Sequence, residues 1–365
     1  MKLNRILQGN VLDRMKDLPD RSIQCVVTSP PYWGLRDYGT AEWEGGDENC
    51  DHSSAKEKSR YDYKNIGIQS GSKGTDAPRW KAKCPDCGAN KIDNQLGLEE
   101  TPEEYVEKMV KVFREIKRVL KHDGTVWLNL GDSYYGGGWK GASLNKNSGD
   151  IQKAHKGTHC GENIKHDPKH PIIKTKDLVG IPWRVAFALQ ADGWYLRQDI
   201  IWHKPNPMPE SVTDRCTKAH EYIFLLSKSA KYFYDNDAIK EKAVGERWGG
   251  NNPMNVNNSK DTENIHNGLT RERDMEFETR NKRSVWSINT KPYKEAHFAV
   301  FPPKLPELCI KAGSSEGDIV LDPFFGSGTT GWVAQRLGRK WIGIELNPEY
   351  IKIAEKRFIQ QDLFV

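Results

Sequence analysis

The C-terminal part of the chain places a strand, a glycine turn, a helix and a second strand in close succession, and this pattern constrains the fold most. Residues 318–321, Asp-Ile-Val-Leu, predict the first strand, residues 326–328 the turn, and residues 329–337 the helix. Residues 340–344 predict the second strand, which ends at Glu345. Because a helix between two strands is the repeating unit of a parallel sheet, the sequence predicts an α/β fold.

The same alternation of helix and strand occurs earlier in the chain. Thr101 as N-cap, Pro102 at the first helical position and Glu104 three residues after the cap predict the start of a helix. Apolar residues at every third or fourth position continue that helix to residue 120, and Gly124 follows its end. Further strands are predicted at 23–28, 125–130, 195–204 and 222–226, and further helices at 11–18, 179–191, 305–312 and from 348.

Long polar segments separate these units and dilute the apolar content of the chain to 36%. They cover residues 39–97, 136–176 and 205–290. Because such segments bury little apolar surface by themselves, we expect them to be insertions in a single larger domain. That domain is predicted to consist of residues 1–38, 98–204 and 291–365.

Charge, hydropathy and cysteine content bear on the class of protein. There are 55 Lys and Arg against 50 Asp and Glu, a net charge of +5, which permits a polyanionic partner without requiring one. Apolar runs stay well short of the ~18 residues of a membrane helix, and the N-terminus lacks the features of a secretion signal. Seven cysteines, an odd number, favour free thiols or metal ligands over a disulfide scaffold. We expect a cytoplasmic protein without a membrane partner.

The glycine turn at 326–328 is a candidate site for a nucleotide-like ligand. Glycines between a strand and a helix let a ligand approach the backbone, and Glu345 after the next strand can accept hydrogen bonds from ribose hydroxyls. The spacing differs from GxGxxG, and Asp322 would repel a pyrophosphate but suits the ammonium group of a methionine moiety. These residues favour S-adenosylmethionine over NAD, with an ordinary tight turn as the alternative.

Residues 28–32, Thr-Ser-Pro-Pro-Tyr, follow a strand that is predicted to be buried on both faces. Methylation of an exocyclic amine requires acceptors for its N–H groups and a flat surface that holds the planar base. Ser29 and the Pro30 carbonyl can supply the acceptors, two prolines fix the backbone, and Tyr32 supplies the surface. Alone, the segment predicts a proline-rich turn. Together with the glycine motif, we interpret Ser29, Pro30, Pro31 and Tyr32 as catalytic.

At this point the chain resembles the DNA amino-methyltransferases, which modify N4 of cytosine or N6 of adenine. In that family a (D/N/S)PP(Y/F) tetrad is catalytic and an FxGxG motif binds S-adenosylmethionine; residues 29–32 and 324–328 match these motifs. The tetrad precedes the cofactor motif, an order similar to the family's β arrangement. The resemblance covers most of the chain and implies a Rossmann-like methyltransferase fold with a mostly parallel sheet, a circularly permuted motif order and polar insertions.

The resemblance also implies a set of cofactor-binding residues. Residues 297–302 correspond to the segment that packs around the methionine part of the cofactor, and Glu345 corresponds to the ribose-binding acid. Asn10 stands where the family usually has Asp, near the adenine ring. The predicted cofactor-binding residues are Asn10, His297, Phe301, Asp322, Phe324, Gly326, Ser327, Gly328, Thr329, Glu345 and Asn347.

By the same resemblance the substrate is duplex DNA, methylated at a specific site after base flipping, and the protein is nucleoid-associated through DNA. A separate restriction endonuclease is a candidate partner. Serine at the first tetrad position favours cytosine N4, with adenine N6 the alternative, since both amines present the same donors. C5 methylation is disfavoured because that family's nucleophilic Cys lies in a Pro-Cys pair, which this sequence lacks. Remoter alternatives are an RNA or protein-glutamine methyltransferase and an inactive DNA-binding protein.

Three further regions have two interpretations each. Residues 205–290 are predicted to be the target-recognition region, with a surface loop as the alternative. The segment 136–176 contains eight Lys and three acidic residues, so it either contacts DNA phosphates or is a solvated loop. Asn129 lies near the end of the predicted strand 125–130, and Asp132 follows that strand. Both are expected to fix the next turn, with a place in the site as the alternative.

The insertion at 39–97 contains Cys50-Asp51-His52 and, further on, Cys84-Pro85-Asp86-Cys87-Gly88. A Cys-x2-Cys-Gly knuckle is typical of zinc sites, and Cys50 with His52 would complete a tetrahedral Cys3His set. Four protein ligands leave no open position, so we predict a structural zinc that orders the insertion. The alternative is four unliganded side chains in a loop.

Overall fold

The computed structural model describes residues 1–34, 40–55, 81–135, 170–243, 279–290 and 301–362. The strands are β1 Arg5–Gln8, β2 Ile23–Thr28, β3 Glu42–Glu44, β4 Asn90–Ile92, β5 Leu120–Leu130, β6 Tyr195–His203, β7 His220–Ser227, β8 Glu241–Lys242, β9 Thr279–Arg280, β10 Val285–Ser287, β11 Ile319–Asp322 and β12 Lys340–Glu345. The helices are α1 Val11–Met15, α2 Pro102–Val119, α3 Ile181–Ala191, α4 Lys304–Gly313, α5 Thr329–Arg336 and α6 Pro348–Asp362.

One sheet dominates the described part of the chain. Its eight strands lie in the order β1-β12-β11-β2-β5-β7-β6-β10. The first five are mutually parallel, β7 is antiparallel to both of its neighbours, and β10 is parallel to β6. The prediction of an α/β fold with a mostly parallel sheet is therefore confirmed.

Helices cover both faces of this sheet. Helices α1, α2 and α3 pack on one face, and α4, α5 and α6 pack on the other, each group around its own apolar core. Strand β2 contributes to both cores, because Val26 points to the first and Cys25 and Val27 to the second. This explains the near-continuous apolar run from which the strand was predicted.

Helix α2 and strand β5 follow each other without a loop. The helix begins as predicted, with Thr101 Oγ1 accepting a hydrogen bond from the Glu104 amide at 3.2 Å. The predicted strand start at 125 is wrong, because β5 begins at Leu120 and includes Gly124. A Cβ at Gly124 would lie 2.9 Å from the Gln24 carbonyl oxygen. Glycine is present here for a close approach between two strands rather than to end a helix.

Two parts of the sheet were not anticipated from the sequence. Strand β1 is only four residues long and was not predicted at all. Strand β10 was not predicted either, whereas β7 corresponds to the strand predicted at 222–226. Both lie within residues 205–290, so this predicted recognition region shares the central sheet with the rest of the fold. Residues 244–278 of that region, and 136–169 of the basic segment, lie outside the described residues.

The carboxyl ends of the parallel strands bring distant parts of the chain to one edge of the sheet. Asn10 follows β1, Ser29 follows β2, Asp322 ends β11, and Glu345 ends β12. Because β7 runs in the opposite direction, its first residues lie at this same edge. A ligand crevice is expected along such an edge in an open α/β sheet. In the ranges given above, no helix is both long and apolar enough to cross a membrane.

Candidate active site

The buried carboxylate of Asp322 joins three elements beneath the glycine turn. Thr28 Oγ1 on β2 and Thr330 Oγ1 on α5 each donate a hydrogen bond to it at 2.7 Å. The amide of Phe324 donates a third at 3.1 Å. The side chain is almost fully buried, and burial raises the pKa of Asp322 to about 7. Near neutral pH this carboxyl group can therefore both hold and release a proton.

Glu345 holds the glycine turn through its carboxylate. Its two oxygens accept hydrogen bonds from the amides of Gly326 at 2.7 Å and Asn347 at 2.8 Å, while burial raises the pKa of Glu345. Gly326 has a φ of +51°, and a Cβ built on it would meet nothing within 4 Å. Ser327 Oγ is buried without a hydrogen-bond partner among the described residues. Open space beside the backbone and an unsatisfied hydroxyl fit a polar ligand at this turn.

Phe325 anchors the turn from below. A Cβ at Gly343 would lie 2.3 Å from the Phe325 ring, and one at Gly331 would lie 2.6 Å from it. The ring stacks on Trp341 with a centroid distance of 5.2 Å. The two glycines therefore make room for an aromatic plug that fixes the preceding residue, Phe324, at the edge of the site.

Arg357 supports the same turn and was missed in the sequence analysis. Its Nη1 atom, on α6, donates hydrogen bonds to Thr329 Oγ1 at 2.6 Å and to the Ser327 carbonyl at 3.2 Å. Predicted site residue Thr329 is thus tied to the last helix. No motif surrounds Arg357 in the sequence, so only the packing of α6 reveals its role.

The tetrad contains a chain of hydrogen bonds with a defined direction. Ser29 Oγ donates to Tyr32 OH at 3.3 Å, and Tyr32 OH donates to Glu221 Oε2 at 2.7 Å. Asn129 Oδ1 lies 3.2 Å from the same hydroxyl. Burial, followed by the charge of Glu221, raises the pKa of Tyr32 well above its usual value. Tyr32 therefore remains a neutral hydroxyl that relays hydrogen bonds.

Glu221 was also missed, although its position could have been inferred. The Lys204 ammonium forms an ion pair with its Oε1 atom, and Asn129 Nδ2 donates to its Oε2 atom at 3.1 Å. Lys204 lies over the Trp202 ring at 4.5 Å. Glu221 is near the start of β7, which runs antiparallel to β5. Recognising that β7 is antiparallel would have placed this carboxylate at the carboxyl edge.

The backbone of the tetrad is held by its neighbours. Tyr105 OH donates to the Pro31 carbonyl at 2.9 Å, and Trp33 Nε1 donates to the Glu99 carbonyl at 3.0 Å. A Cβ at Gly131 would lie 2.6 Å from Tyr32 Cε2, so the end of β5 packs directly on the tyrosine ring. The tetrad is therefore a rigid turn between β2 and the helices that cover it.

Three other residues named in the sequence analysis have contacts that fix local structure, and a fourth lies outside the described residues. Asn10 Oδ1 accepts from the Leu12 amide at 2.9 Å and caps α1. Asp132 Oδ1 accepts from the amides of Gly180 and Ile181, both at 3.0 Å, so it fixes the start of α3. Phe301 packs against the second apolar core. His297 lies outside the described residues.

The predicted metal ligands form a separate cluster in the insertion. One donor atom from each of Cys50, His52, Cys84 and Cys87 lies within 4.8 Å of the others. The six cysteines in the described ranges are all free thiols. The four side chains are therefore close enough together for one ion to contact all of them.

Comparisons with known proteins connect these features to a family. A family model described as DNA methylase (N6/N4) matches residues 23–356. The chain is 40% identical over 360 residues to the Type II methyltransferase M.SmaI of Serratia marcescens, covering 98% of this chain and 91% of that one. It is 40% identical over 359 residues to M.Cfr9I of Citrobacter freundii, covering 98% and 88%.

Two solved structures share the fold at lower identity. The PvuII DNA methyltransferase, described as cytosine-N4-specific, aligns with a TM-score of 0.55 and 18% identity over 98% of this chain and 87% of that one. A candidate DNA modification methylase of Thermus thermophilus, solved with S-adenosyl-L-methionine, aligns with a TM-score of 0.50 and 20% identity over 98% and 93%.

Proposed function

Because the chain belongs to the N6/N4 DNA methylase family, we propose that it methylates the exocyclic N4 of cytosine in duplex DNA, using S-adenosylmethionine. Adenine N6 is the alternative target. The observation that carries the proposal is the directed hydrogen-bond chain from Ser29 through Tyr32 to Glu221. In this arrangement the lone pairs of Ser29 Oγ are free to accept a hydrogen bond from an N–H of the target amine.

The direction of these hydrogen bonds follows from the negative charge of Glu221, the last acceptor in the series. An ionised carboxylate can only accept hydrogen bonds, so Tyr32 donates to Glu221. Tyr32 OH then has lone pairs that accept the proton of Ser29 Oγ. This arrangement leaves the lone pairs of Ser29 free to accept an N–H from a target amine, and it orients the nitrogen lone pair away from the serine.

The proposed transfer is a direct displacement. When bound, S-adenosylmethionine supplies a methyl group on a positively charged sulfur, which is a good leaving group. With the cofactor bound, the amine nitrogen would take the methyl group in a single displacement, the carbon–sulfur electrons would stay with sulfur, and one amine proton would pass to water. The Ser29 hydroxyl accepts the N–H hydrogen bond, and the Tyr32 ring supplies a surface for the flipped base. Rate enhancement comes mainly from position and orientation.

The glycine turn supplies the cofactor site in this proposal. Each carboxylate oxygen of Glu345 accepts one amide and retains a lone pair for a ribose hydroxyl. The unsatisfied Ser327 hydroxyl and the open space at Gly326 provide a hydrogen-bonding group and room for the ligand. Asp322, at the end of the neighbouring strand β11, offers a negative charge to the ammonium group of the methionine moiety.

Support for cytosine over adenine is of two kinds. The first is the serine at the head of the tetrad, which resembles cytosine-N4 enzymes, whereas aspartate is commoner in adenine enzymes. The second is that this fold accommodates cytosine-N4 chemistry in the PvuII enzyme. A restriction endonuclease encoded as a separate chain is proposed on the resemblance to Type II enzymes.

The function is tested with Ser29→Ala and Tyr32→Phe. We expect tritium transfer from labelled cofactor to duplex DNA to fall by roughly 100-fold or more in Ser29→Ala, because the acceptor is lost. Cofactor Kd, measured by calorimetry, should stay within about threefold, since Ser29 lies outside the glycine turn. Ser315→Ala, which changes an exposed serine before β11, is the matched control. Wild-type turnover in both site variants would overturn the assignment.

A further inference from the structure

We propose that Cys50, His52, Cys84 and Cys87 bind one structural zinc ion that holds the cysteine lobe beside the tetrad. The cysteine lobe is defined as residues 40–55 and 81–92, which include the antiparallel pair β3 and β4. The contacts within the lobe support zinc binding by themselves. The effect on the tetrad rests on the proposed function.

The distances within the cluster match a tetrahedral ion. Cys50 Sγ and Cys84 Sγ are 3.8 Å apart, and Cys87 Sγ is 3.4 Å from His52 Nδ1. Tetrahedral bonds of ~2.3 Å to sulfur and ~2.05 Å to nitrogen separate two sulfurs by roughly 3.8 Å, and sulfur from nitrogen by roughly 3.6 Å. A disulfide would instead bring two sulfurs to ~2.05 Å. The spacing therefore fits four ligands around one zinc.

The backbone around the cluster has the form of a metal-binding knuckle. The Gly88 amide donates to the Cys84 carbonyl at 3.0 Å, and the Cys84 amide donates to the Ala89 carbonyl at 2.8 Å. Gly46 has a φ of +78°, and a Cβ on it would lie only 2.8 Å from Cys87 Sγ. The facing loop thus approaches the sulfur more closely than a side chain would permit.

His52 is held in a fixed orientation by its surroundings. Its ring stacks on Trp43 with a centroid distance of 4.6 Å, which directs Nδ1 toward Cys87. Its φ of +53° lies in the left-handed region, which is unfavourable for a residue with a side chain. Such a conformation persists where the surrounding structure requires it, and metal ligation supplies that requirement.

The lobe has too small a core to be ordered by packing alone. Among its described residues, the buried apolar side chains are Ala55, Cys84 and Ala89, with Trp43 partly buried beside them. Its strands β3 and β4 are three residues long, and isolated two-stranded sheets are marginal in water. Small units of this kind are commonly completed by a metal.

After its second part the lobe is followed by residues 93–97, which contact the backbone of the tetrad. The Gly34 amide donates to the Gly97 carbonyl at 2.9 Å, closing the insertion immediately after Tyr32 and Trp33. A Cβ at Gly97 would lie 2.9 Å from the Tyr32 carbonyl oxygen. Residues 93–97 therefore connect the lobe to the backbone that positions the tyrosine ring, and we infer that the lobe acts on the tetrad through this connection.

Zinc binding is tested by metal analysis of the full-length protein, purified from zinc-supplemented cells and passed over a gel-filtration column with EDTA. We expect one zinc per chain in the wild type and in Cys216→Ser, an exposed cysteine outside the cluster. Cys84→Ser should retain less than about a tenth of that, because loss of a thiolate ligand opens the site. A metal-free wild type, or full zinc content in Cys84→Ser, would overturn the proposal.

A second measurement covers the case in which Cys84→Ser fails to fold. Wild-type protein is stripped with a strong chelator and titrated with cobalt(II), which reports a tetrahedral thiolate site by its charge-transfer and intense visible bands. These bands should saturate at one equivalent and disappear when zinc is added. Absence of the bands in stripped protein that keeps its far-UV dichroism would contradict a metal site.

The link to the tetrad is tested separately on the same stripped protein. We expect DNA methylation to fall by about 10-fold or more and to return on zinc addition, while cofactor Kd changes by less than about twofold. Unchanged methylation would refute the link to Tyr32 and leave zinc binding standing. Failure of the proposed function would leave the metal content and the cobalt spectrum unaffected.

Discussion

Glu221 controls the direction of the hydroxyl groups in the tetrad. Its Oε2 atom accepts from Tyr32, and its Oε1 atom pairs with Lys204. The ion pair compensates the desolvation of a carboxylate in a half-buried position. A charged acceptor at this point fixes Tyr32 as its donor and so fixes Ser29 as donor to Tyr32.

Glu221→Gln should therefore slow methyl transfer while leaving the tetrad in place. A glutamine amide can donate to Tyr32, which then donates to Ser29 and turns the serine proton toward the substrate. We expect a fall of about 10- to 100-fold in the single-turnover rate, with cofactor Kd unchanged. Glu210→Gln, which breaks a different ion pair with Arg215, is the control.

A double-mutant cycle separates this positioning role from general destabilisation. In a Tyr32→Phe background the hydrogen-bond chain is already broken, so Glu221→Gln should add little further loss. Additive losses in rate would show that Glu221 does not act through Tyr32.

Asp322 should make cofactor binding depend on pH. Its pKa of about 7 means that the carboxyl group is largely protonated at pH 6 and largely ionised at pH 8. An ammonium group binds the ionised form better, so affinity should rise as the pH is raised through 7, level off above about pH 8, and be accompanied by proton release below that pH. Calorimetry in buffers of different ionisation enthalpy measures that release. The effect should be absent in Asp322→Asn, and a flat profile in the wild type would contradict it.

Asp322 should also make the folded protein less stable at neutral and higher pH than at acidic pH. The unfolded chain loses this proton near pH 3.8 and the folded chain near pH 7, so its contribution to the free energy of unfolding falls as pH rises between those values. Asp322→Asn should therefore be stabilised by about 2–4 kcal/mol at pH 8, with the gain vanishing below pH 4. Thr330 can accept the new N–H, because its hydroxyl can donate to the Val27 carbonyl at 3.3 Å. Urea unfolding at both pH values tests the sign, and an equal effect at pH 4 and pH 8 would contradict it.

At the scale of elements, the end of β5 determines where the Tyr32 ring lies. Gly131→Ala would place a methyl group 2.6 Å from Tyr32 Cε2, so the ring must move. We expect a destabilisation of about 1–3 kcal/mol and a loss in turnover of roughly 10-fold, which follows from misplacing the stacking surface.

Gly317→Ala is the control for that prediction. Gly317 has a φ of +81°, and a Cβ placed on it would have no atom within 4 Å, so alanine there strains the backbone without touching the site. It should lower the thermal midpoint and leave turnover unchanged. Equal turnover in the two glycine variants would show that Tyr32 tolerates a shift of its ring.

The elements that the sequence predicts well carry local signals. Strand β2 is a near-continuous apolar run, and α2 has a cap, a proline and an apolar stripe. Strand β1 lacks such a signal, because a pattern of only four residues is too short to distinguish a strand from a loop. The start of β5 was misplaced because Gly124 suggested a helix end, whereas the structure uses it for close strand packing.

Residues of the candidate site likewise divide into those with a local sequence signal and those without one. Ser29 and Gly326 belong to contiguous motifs, so their neighbours in the sequence identify them. Glu221 and Arg357 come from other elements and reach the site only through tertiary packing. Asn10 caps a helix through its Oδ1 atom, a role that asparagine and aspartate share. The change from the residue usual in the family is therefore conservative at this position.

Across the complete fold, strands from the two ends of the chain pair with each other in one half of the sheet. Strand β2 pairs with β11, and β1 pairs with β12. The Thr28 hydroxyl and the Asp322 carboxylate are 294 residues apart in sequence and 2.7 Å apart in space. This adjacency explains how a motif order with the tetrad first and the cofactor turn last can build one site.

In the proposed reaction this site methylates the exocyclic amine of cytosine in duplex DNA. The most direct test is to incubate unmodified plasmid with the purified protein and S-adenosylmethionine, and to sequence it by a method that distinguishes N4-methylcytosine, N6-methyladenine and 5-methylcytosine. We predict N4-methylcytosine at one short recurring sequence, and none with the Ser29→Ala variant. Modification of adenine N6 or cytosine C5 alone, or unmodified plasmid, would contradict cytosine-N4 methylation by this protein.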